Sequence, residues 1–241
     1  MPYIQKLYDI CKVSMTPDGP KSEEALQKVR AVLDSLKPAH VALDHEAHIA
    51  RIYEPPTDGA NGTTPSPPIK YIHLHECDKF SIGIFCMSPG SVIPLHDHPR
   101  MTVLSKVLYG SLHVKAFDWV ESASCDLSQV VARPAKLVRD CQMSAPCETT
   151  VLYPNRGGNL HCFQAITPCA LFDILSPPYS LEEEENGRNC SYYCRSPRTN
   201  FPVVEELRGL NPSEFAWLEV TPAPSSLVIG KGTYKGPNIR R

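Results

Sequence analysis

Apolar residues recur every three to four positions near the start of the chain and every second position through its middle. That change of period divides the sequence. Ile4, Leu7, Tyr8 and Cys11 fall at helical spacing, which predicts a short amphipathic helix over residues 3–12. A second helix has clearer boundaries. Ser22 is placed to cap it, Glu23 and Glu24 suit its first turn, and Leu26, Val29, Leu33 and Leu36 form one apolar stripe. Pro38 is expected to end it, because the residue before a proline is pushed out of the α region. Residues 54–68 contain five prolines and two glycines, which reads as a surface loop. Strand-like runs follow at 69–75, 80–87, 92–98, 102–109, 112–117, 135–139, 149–153, 161–166 and 170–175. Residues 119–134 read as an inserted loop and Glu182–Glu185 as a solvated turn. In the tail, Phe215-Ala-Trp217-Leu and Leu227-Val-Ile carry enough apolar content for one or two edge strands, and residues 231–241 are expected at the surface. Short strands without intervening helices predict a mainly β protein, an antiparallel sandwich or barrel with the N-terminal helices packed outside. The chain reads as a single domain over 1–241: a helical segment to residue 53, the Pro-rich loop, and a β-region from 69 onward.

Composition narrows the class. The formal net charge of −2 over 241 residues argues against a nucleic-acid scaffold. No run of about 18 apolar residues occurs, and the start, Met1-Pro-Tyr-Ile-Gln-Lys, lacks the apolar core of a secretory signal. Ten cysteines in a chain of this size, with no Cys-x-x-Cys pair, read as reduced thiols of the cytosol or nucleus. The glycosylation triplets Asn61-Gly-Thr63 and Asn189-Cys-Ser191 are then chance matches.

The histidines carry the chemistry. Two His-x-His pairs compete, His73-Leu-His75 and His96-Asp-His98. On an extended strand either pair points its imidazoles to one face, where both can hold one transition-metal ion. His40, His45, His48 and His113 have no second ligand at useful spacing. The surroundings favour His96 and His98. Gly90, five residues, His96-x-His98 and a later Gly110 resemble the first cupin motif, and Pro154-Asn-Arg-Gly157-Gly158-Asn-Leu-His161 resembles the second with one residue extra. That resemblance makes His161 the third ligand. Val103 stands about where many cupins place a glutamate. Three neutral imidazoles would leave up to three coordination positions on one face, enough for a chelating substrate and dioxygen. Iron(II) fits that use best, with zinc and manganese left open.

A closer resemblance lies in His96-Asp-His98-Pro, Met101-Thr-Val-Leu-Ser-Lys106, Gly110-Ser-Leu-His-Val-Lys115, Gly157-Gly158-Asn-Leu-His161-Cys-Phe and Asp173-Ile-Leu-Ser-Pro-Pro-Tyr179. With Met1-Pro-Tyr and His73-Leu-His75-Glu-Cys-Asp, these runs resemble the plant cysteine oxidases, relatives of animal 2-aminoethanethiol dioxygenase. The resemblance implies a cupin double-stranded β-helix, iron(II) on three histidines and the use of O2. It further implies oxidation of the N-terminal cysteine of proteins to the sulfinic acid. The implied targets are ethylene-response transcription factors beginning Met-Cys, which then enter the arginine branch of the N-degron pathway, so that their abundance reports oxygen supply. Metal binding deprotonates a thiol, and only a chain-terminal cysteine offers thiolate and free α-amine together.

Asp173 lies in the apolar run Ala-Leu-Phe-Asp-Ile-Leu, where an unpartnered carboxylate is costly. Its bland reading is a structural, hydrogen-bonded Asp, whereas the resemblance implies a role near the substrate amine or the metal site. Tyr179, after Pro177-Pro178, is a candidate for ordering oxygen or substrate, and a core role competes with it. Cys190 and Tyr192 resemble the pair crosslinked in animal thiol dioxygenases, a modification that an intact mass with all its hydrogens would dispose of. The family has glycine where this chain has Arg100, which either points to solvent or alters the site mouth. A dioxygenase of free aminothiols such as cysteamine and a non-catalytic metal-binding cupin are the rival functions. Direct nucleic-acid and membrane binding are not expected, and the chain is expected to be monomeric.

Overall fold

The computed structural model describes residues 1–55, 67–121, 131–180 and 188–241. Asn61-Gly-Thr63, Glu182–Glu185 and most of the two expected loops lie outside them. Helices α1 (Tyr3–Ser14) and α2 (Glu23–Asp34) form near their expected positions, joined by a minimal hairpin of β1 (Met15–Thr16) and β2 (Gly19–Pro20). Ser22 Oγ accepts the Ala25 N–H at 3.1 Å, the expected cap. The helix stops at Asp34, well short of Pro38. Asp34 is held by the sheet instead: its carboxylate accepts the Thr149 N–H at 2.6 Å and its carbonyl accepts Lys106 Nζ. Pro38 opens a 3-10 turn, and a third helix, α3 (Asp44–Arg51), follows. Its buried residues are only Ala47 and Ala50. Two small side chains make a faint apolar stripe, so the sequence pattern does not reveal it.

The β-region contains β3 (Ile69–Glu76), β4 (Ser81–Met87), β5 (Val92–His96), β6 (Thr102–Tyr109), β7 (Ser111–Trp119), β8 (Arg133–Ser144), β9 (Thr150–Leu152), β10 (Leu160–Ala165), β11 (Cys169–Ser176), β12 (Tyr192–Arg195), β13 (Phe215–Thr221) and β14 (Ile229–Gly232). One sheet runs in the order β14-β3-β4-β11-β6-β9; the other strands close on themselves in the order β10-β5-β12-β13-β8-β7. This is the mainly β, double-sheeted architecture of a cupin, with helices outside.

Strand β11 shows how the period-two pattern builds two cores. Ala170, Phe172 and Ile174 pack with Leu7, Leu26 and Leu33 of the helices, whereas Leu171 packs inward with Val107, Val114 and Phe163. Phe172 is fully buried, which is worth about 1.5–3 kcal/mol. By the same alternation Asp173 falls on the inner face, between Gly83 of β4 and Ser105 of β6.

Several boundaries differ from expectation. Strand β8 extends to Ser144 because it pairs with β7 along nine positions, from Ser111↔Ser144 to Trp119↔Ala135. Strand β13 is interior rather than an edge, pairing with both β12 and β8. Strand β14 is one edge of its sheet, parallel to β3, and β9 is the other. The last residues are also tied down: Gln5 brackets the Arg240 backbone, accepting its N–H at 2.7 Å and donating to its carbonyl at 3.0 Å.

Candidate metal centre

His96 is the last residue of β5, and His161 lies opposite it on β10. The strand expected to run on to His98 ends two residues earlier. Beyond it the backbone turns, with the Met101 N–H donating to the His98 carbonyl at 3.2 Å. The three imidazoles converge: one ligand nitrogen from each lies within 4.8 Å of the others, and all three residues are buried. His98 Nε2 and His161 Nε2 are 3.1 Å apart.

Outer partners fix the ring orientations. His96 Nδ1 donates to the Pro94 carbonyl at 2.8 Å, which leaves Nε2 as the free lone pair. His98 Nδ1 meets the Tyr179 hydroxyl at 2.8 Å, and that hydroxyl donates to the Asp97 carbonyl at 2.7 Å, so the ring nitrogen is the donor and Nε2 is again free. The Gly158 backbone hydrogen-bonds His161. Burial pushes all three imidazoles below the usual histidine range, His98 and His161 furthest, and at those two a neighbouring imidazole adds to the effect. Neutral imidazole is the metal-binding form, so donor type, spacing and orientation fit a metal ion. Val103, about where the cupin resemblance would place a glutamate, is buried with Met101 and Leu152 and supplies no charge.

The rival pair does not assemble. A bulge between His73 and His75 breaks the two-residue period against β4. His73 is left exposed, while His75 is buried between Tyr8 and Phe80 at ring distances of 4.8 and 4.9 Å. Of the others, His40 accepts the Lys37 N–H, His45 and His48 are exposed on α3, and His113 pairs with Asp140.

The triad opens into a cavity of about 440 Å³, whose lining includes Tyr71, Phe85, Ile93, Phe163 and Asp173, with Cys190 and Tyr192. Asp173 is buried, and burial pushes its carboxyl up to about 7 against a weaker opposing hydrogen bond from Ser105. Its Oδ1 has no partner. Tyr179 also lines the cavity, but its hydroxyl is engaged behind His98. Cys190 hydrogen-bonds both Tyr179 and Tyr192, so the suspected pair is side by side, and burial raises the thiol pKa. Arg100 is exposed, outside the cavity lining, and takes a left-handed φ of +58°.

Three contributors were not singled out in the sequence. Asn159 is buried and hydrogen-bonds both the N–H and the carbonyl of His98. Asp118 accepts three backbone N–H groups from residues 157–159. Tyr193 donates to the Asp97 carboxylate at 2.8 Å. Asn159 lies inside the second-motif run, but its role shows only in tertiary contacts.

The PCO_ADO family profile matches residues 32–239. The chain belongs to that family. It is 41% identical over 245 aligned residues to "Plant cysteine oxidase 1" of Arabidopsis thaliana, covering 98% of this chain and 80% of that protein. With human "2-aminoethanethiol dioxygenase" the identity is 31%, covering 72% and 69% of the two chains. Among solved structures, KdgF from Halomonas sp. aligns with a TM-score of 0.34 at 17% identity, over 49% of this chain and 86% of that one. Family membership makes the chain a thiol dioxygenase, and its three converging histidines fit a metal site.

Proposed function

We propose that this chain is an iron(II)-dependent dioxygenase of N-terminal cysteine. The reaction is Cys–SH + O2 → Cys–SO2H: both oxygen atoms go to sulfur, the thiol loses four electrons, and no external reductant is needed. The observation that carries the reading is the opening of three neutral imidazoles into a cavity that holds one unpartnered carboxylate oxygen. Iron(II) held by His96, His98 and His161 would supply the acidity that ionises the thiol and the redox partner that makes dioxygen reactive.

The protein's own groups do the rest. Asp173 Oδ1 accepts a hydrogen bond from the substrate α-ammonium and takes its proton when the free amine is required. Tyr179 and the Pro94 carbonyl keep the His98 and His96 rings turned with Nε2 inward. Phe85, Ile93 and Phe163 exclude water from the thiol. A cavity of about 440 Å³ far exceeds the needs of cysteamine, with four non-hydrogen atoms, and favours a peptide over a free aminothiol.

The two plant relatives, at 41% and 40% identity over nearly the whole chain, favour the finer reading. On it the substrates are proteins beginning Met-Cys, including ethylene-response transcription factors, and their oxidation feeds the arginine N-degron pathway as a response to oxygen supply. We place the protein in cytoplasm and nucleus, acting as a monomer whose 241 residues form one catalytic unit.

The test offers the iron-loaded protein a Cys-initiated peptide and cysteamine in parallel under labelled oxygen. The expected result is a gain of two labelled atoms on the peptide and little on cysteamine. Preference for cysteamine would establish the aminothiol reading, and no gain on either would leave a non-catalytic metal-binding cupin.

A further inference from the structure

The sheet hydrogen-bonding that positions His96 does not reach His98. Strand β5 stops at His96, and the Asp97 N–H goes to the Ser191 carbonyl at 3.2 Å. At His98 a side chain takes over the role of a neighbouring strand. Asn159 Oδ1 accepts the His98 N–H at 3.0 Å, and Asn159 Nδ2 donates to the His98 carbonyl at 2.8 Å and to the Tyr153 carbonyl at 3.0 Å. Both amide hydrogens and one oxygen lone pair of this buried residue are therefore committed.

Asn159 is itself held from outside the centre. Asp118, near the end of β7, presents its carboxylate to three successive backbone amides. Oδ2 accepts the Gly157 N–H at 2.8 Å, and Oδ1 accepts those of Gly158 at 2.8 Å and Asn159 at 3.0 Å. The amides converge because Gly157 and Gly158 take φ of +84° and +91°, a concave arrangement that binds anions. The same short loop supplies the Gly158 backbone contact to His161. One carboxylate thus fixes a loop that touches two of the three ligands, one through a side chain and one through the backbone.

We propose that Asp118 and Asn159 are positioning residues of the metal centre, and that they set the separation of His98 from His161. Neither belongs to the ligand triad, and Asp118 acts entirely through the loop. The inference rests on the triad being the metal site. Supporting interactions outside the ligand set typically change metal affinity by about 10–100-fold, and an effect in that range is expected here.

The experiment titrates metal-free protein anaerobically with Co(II) and, separately, Fe(II), in competition with a chelator. Asp118→Asn and Asn159→Ala are compared with wild type. Asp140→Asn serves as the control, since Asp140 pairs with Lys115 and His113 away from the centre. Both test variants are expected to bind at least tenfold more weakly and to shift the Co(II) ligand-field bands, with the control unchanged. The rise in Tm on adding metal, measured from each variant's own metal-free value, is expected to shrink, which separates the effect from a simple loss of fold. Asn159→Ser replaces Asn159→Ala if the latter does not fold. Affinities within twofold of wild type with unmoved bands would overturn the proposal while leaving the triad intact. A wild type that binds neither ion would overturn the triad reading, and the positioning role with it.

Discussion

The two segments that deliver metal ligands, residues 96–101 and 154–161, solve one problem by different means. Each must leave the sheet, bend sharply and still fix an imidazole. Each is pinned by a carboxylate. Asp97, within the first, accepts the Ser191 N–H at 2.9 Å and the Tyr193 hydroxyl at 2.8 Å. Asp118, outside the second, accepts three amides. Both segments also use left-handed backbone. The second does so with Gly157 and Gly158, the first with Arg100. Left-handed φ is nearly free for glycine and costs other residues about 1–2 kcal/mol. The second segment is therefore relaxed and closely packed, while the first carries strain within three residues of His98.

A third carboxylate marks the limit of this comparison. Asp173 has no cluster of amides around it, and its carboxyl is raised from 3.8 to about 7 by burial. A carboxyl whose folded pKa lies above its unfolded value adds most to stability below the unfolded pKa, and the contribution disappears as pH rises through the folded one. Metal-free wild type should thus lose up to about 4 kcal/mol between pH 4 and pH 8 from this group, at 1.36 kcal/mol per unit. Asp173→Asn should remove that slope and gain on wild type as pH rises. Urea unfolding of the metal-free proteins at several pH values measures it. Parallel pH profiles would mean that burial does not hold the Asp173 carboxyl above its ordinary range.

Within the second segment, Gly158→Ala tests the close packing. A Cβ there would lie 2.7 Å from Ala116 Cβ, at a φ of +91°. Strain and overpacking together predict a loss of about 3 kcal/mol. Gly90 has a φ of +81° but nothing within 4 Å of an added Cβ, so Gly90→Ala should cost only about 1 kcal/mol. Equal costs would show that backbone conformation alone matters. Within the first segment, Tyr179→Phe removes the partner of His98 Nδ1. Metal affinity should fall about tenfold with little change in the metal-free Tm, as read by chelator competition. An unchanged affinity would return Tyr179 to a purely packing role.

The contrast also explains what the sequence could reveal. The three ligands were legible because a two-residue period and two loop motifs are local patterns. The rival His73 and His75 have the same His-x-His spacing without the flanking motifs, and a bulge in the pairing with β4 sends their rings apart. Strand β12 is a four-residue run, Tyr-Tyr-Cys-Arg, ordered by pairing with β13 and at one position with β5, so nothing local announces it. Asp118 and Asn159 are polar residues whose partners lie about 40 and 61 positions away. Their roles depend on convergence of separate strands, which no spacing rule encodes. Arg100 falls between these cases. The resemblance implied a glycine at that position, but the consequence of arginine there needed the backbone angle.

That consequence gives the smallest effect and the sharpest test of the comparison. Residues 98–101 form a turn with Pro99 at its second position and Arg100, at φ +58°, at its third. Proline favours the second position by fixing φ near −65°, and glycine favours the third when φ is positive. Arg100 thus occupies the turn position least suited to a residue with a Cβ, and its side chain is exposed outside the cavity lining. Arg100→Gly should relieve the strain, partly offset by the greater freedom of glycine in the unfolded chain. The net gain should be about 1 kcal/mol, read from urea unfolding of the metal-free protein. Kinetics on several Cys-initiated peptides should be unchanged, because relief of strain does not alter the cavity walls. A variant that is no more stable but changes its peptide preference would mean that arginine is retained here for the site mouth, and that the strain is offset by contacts of its own side chain.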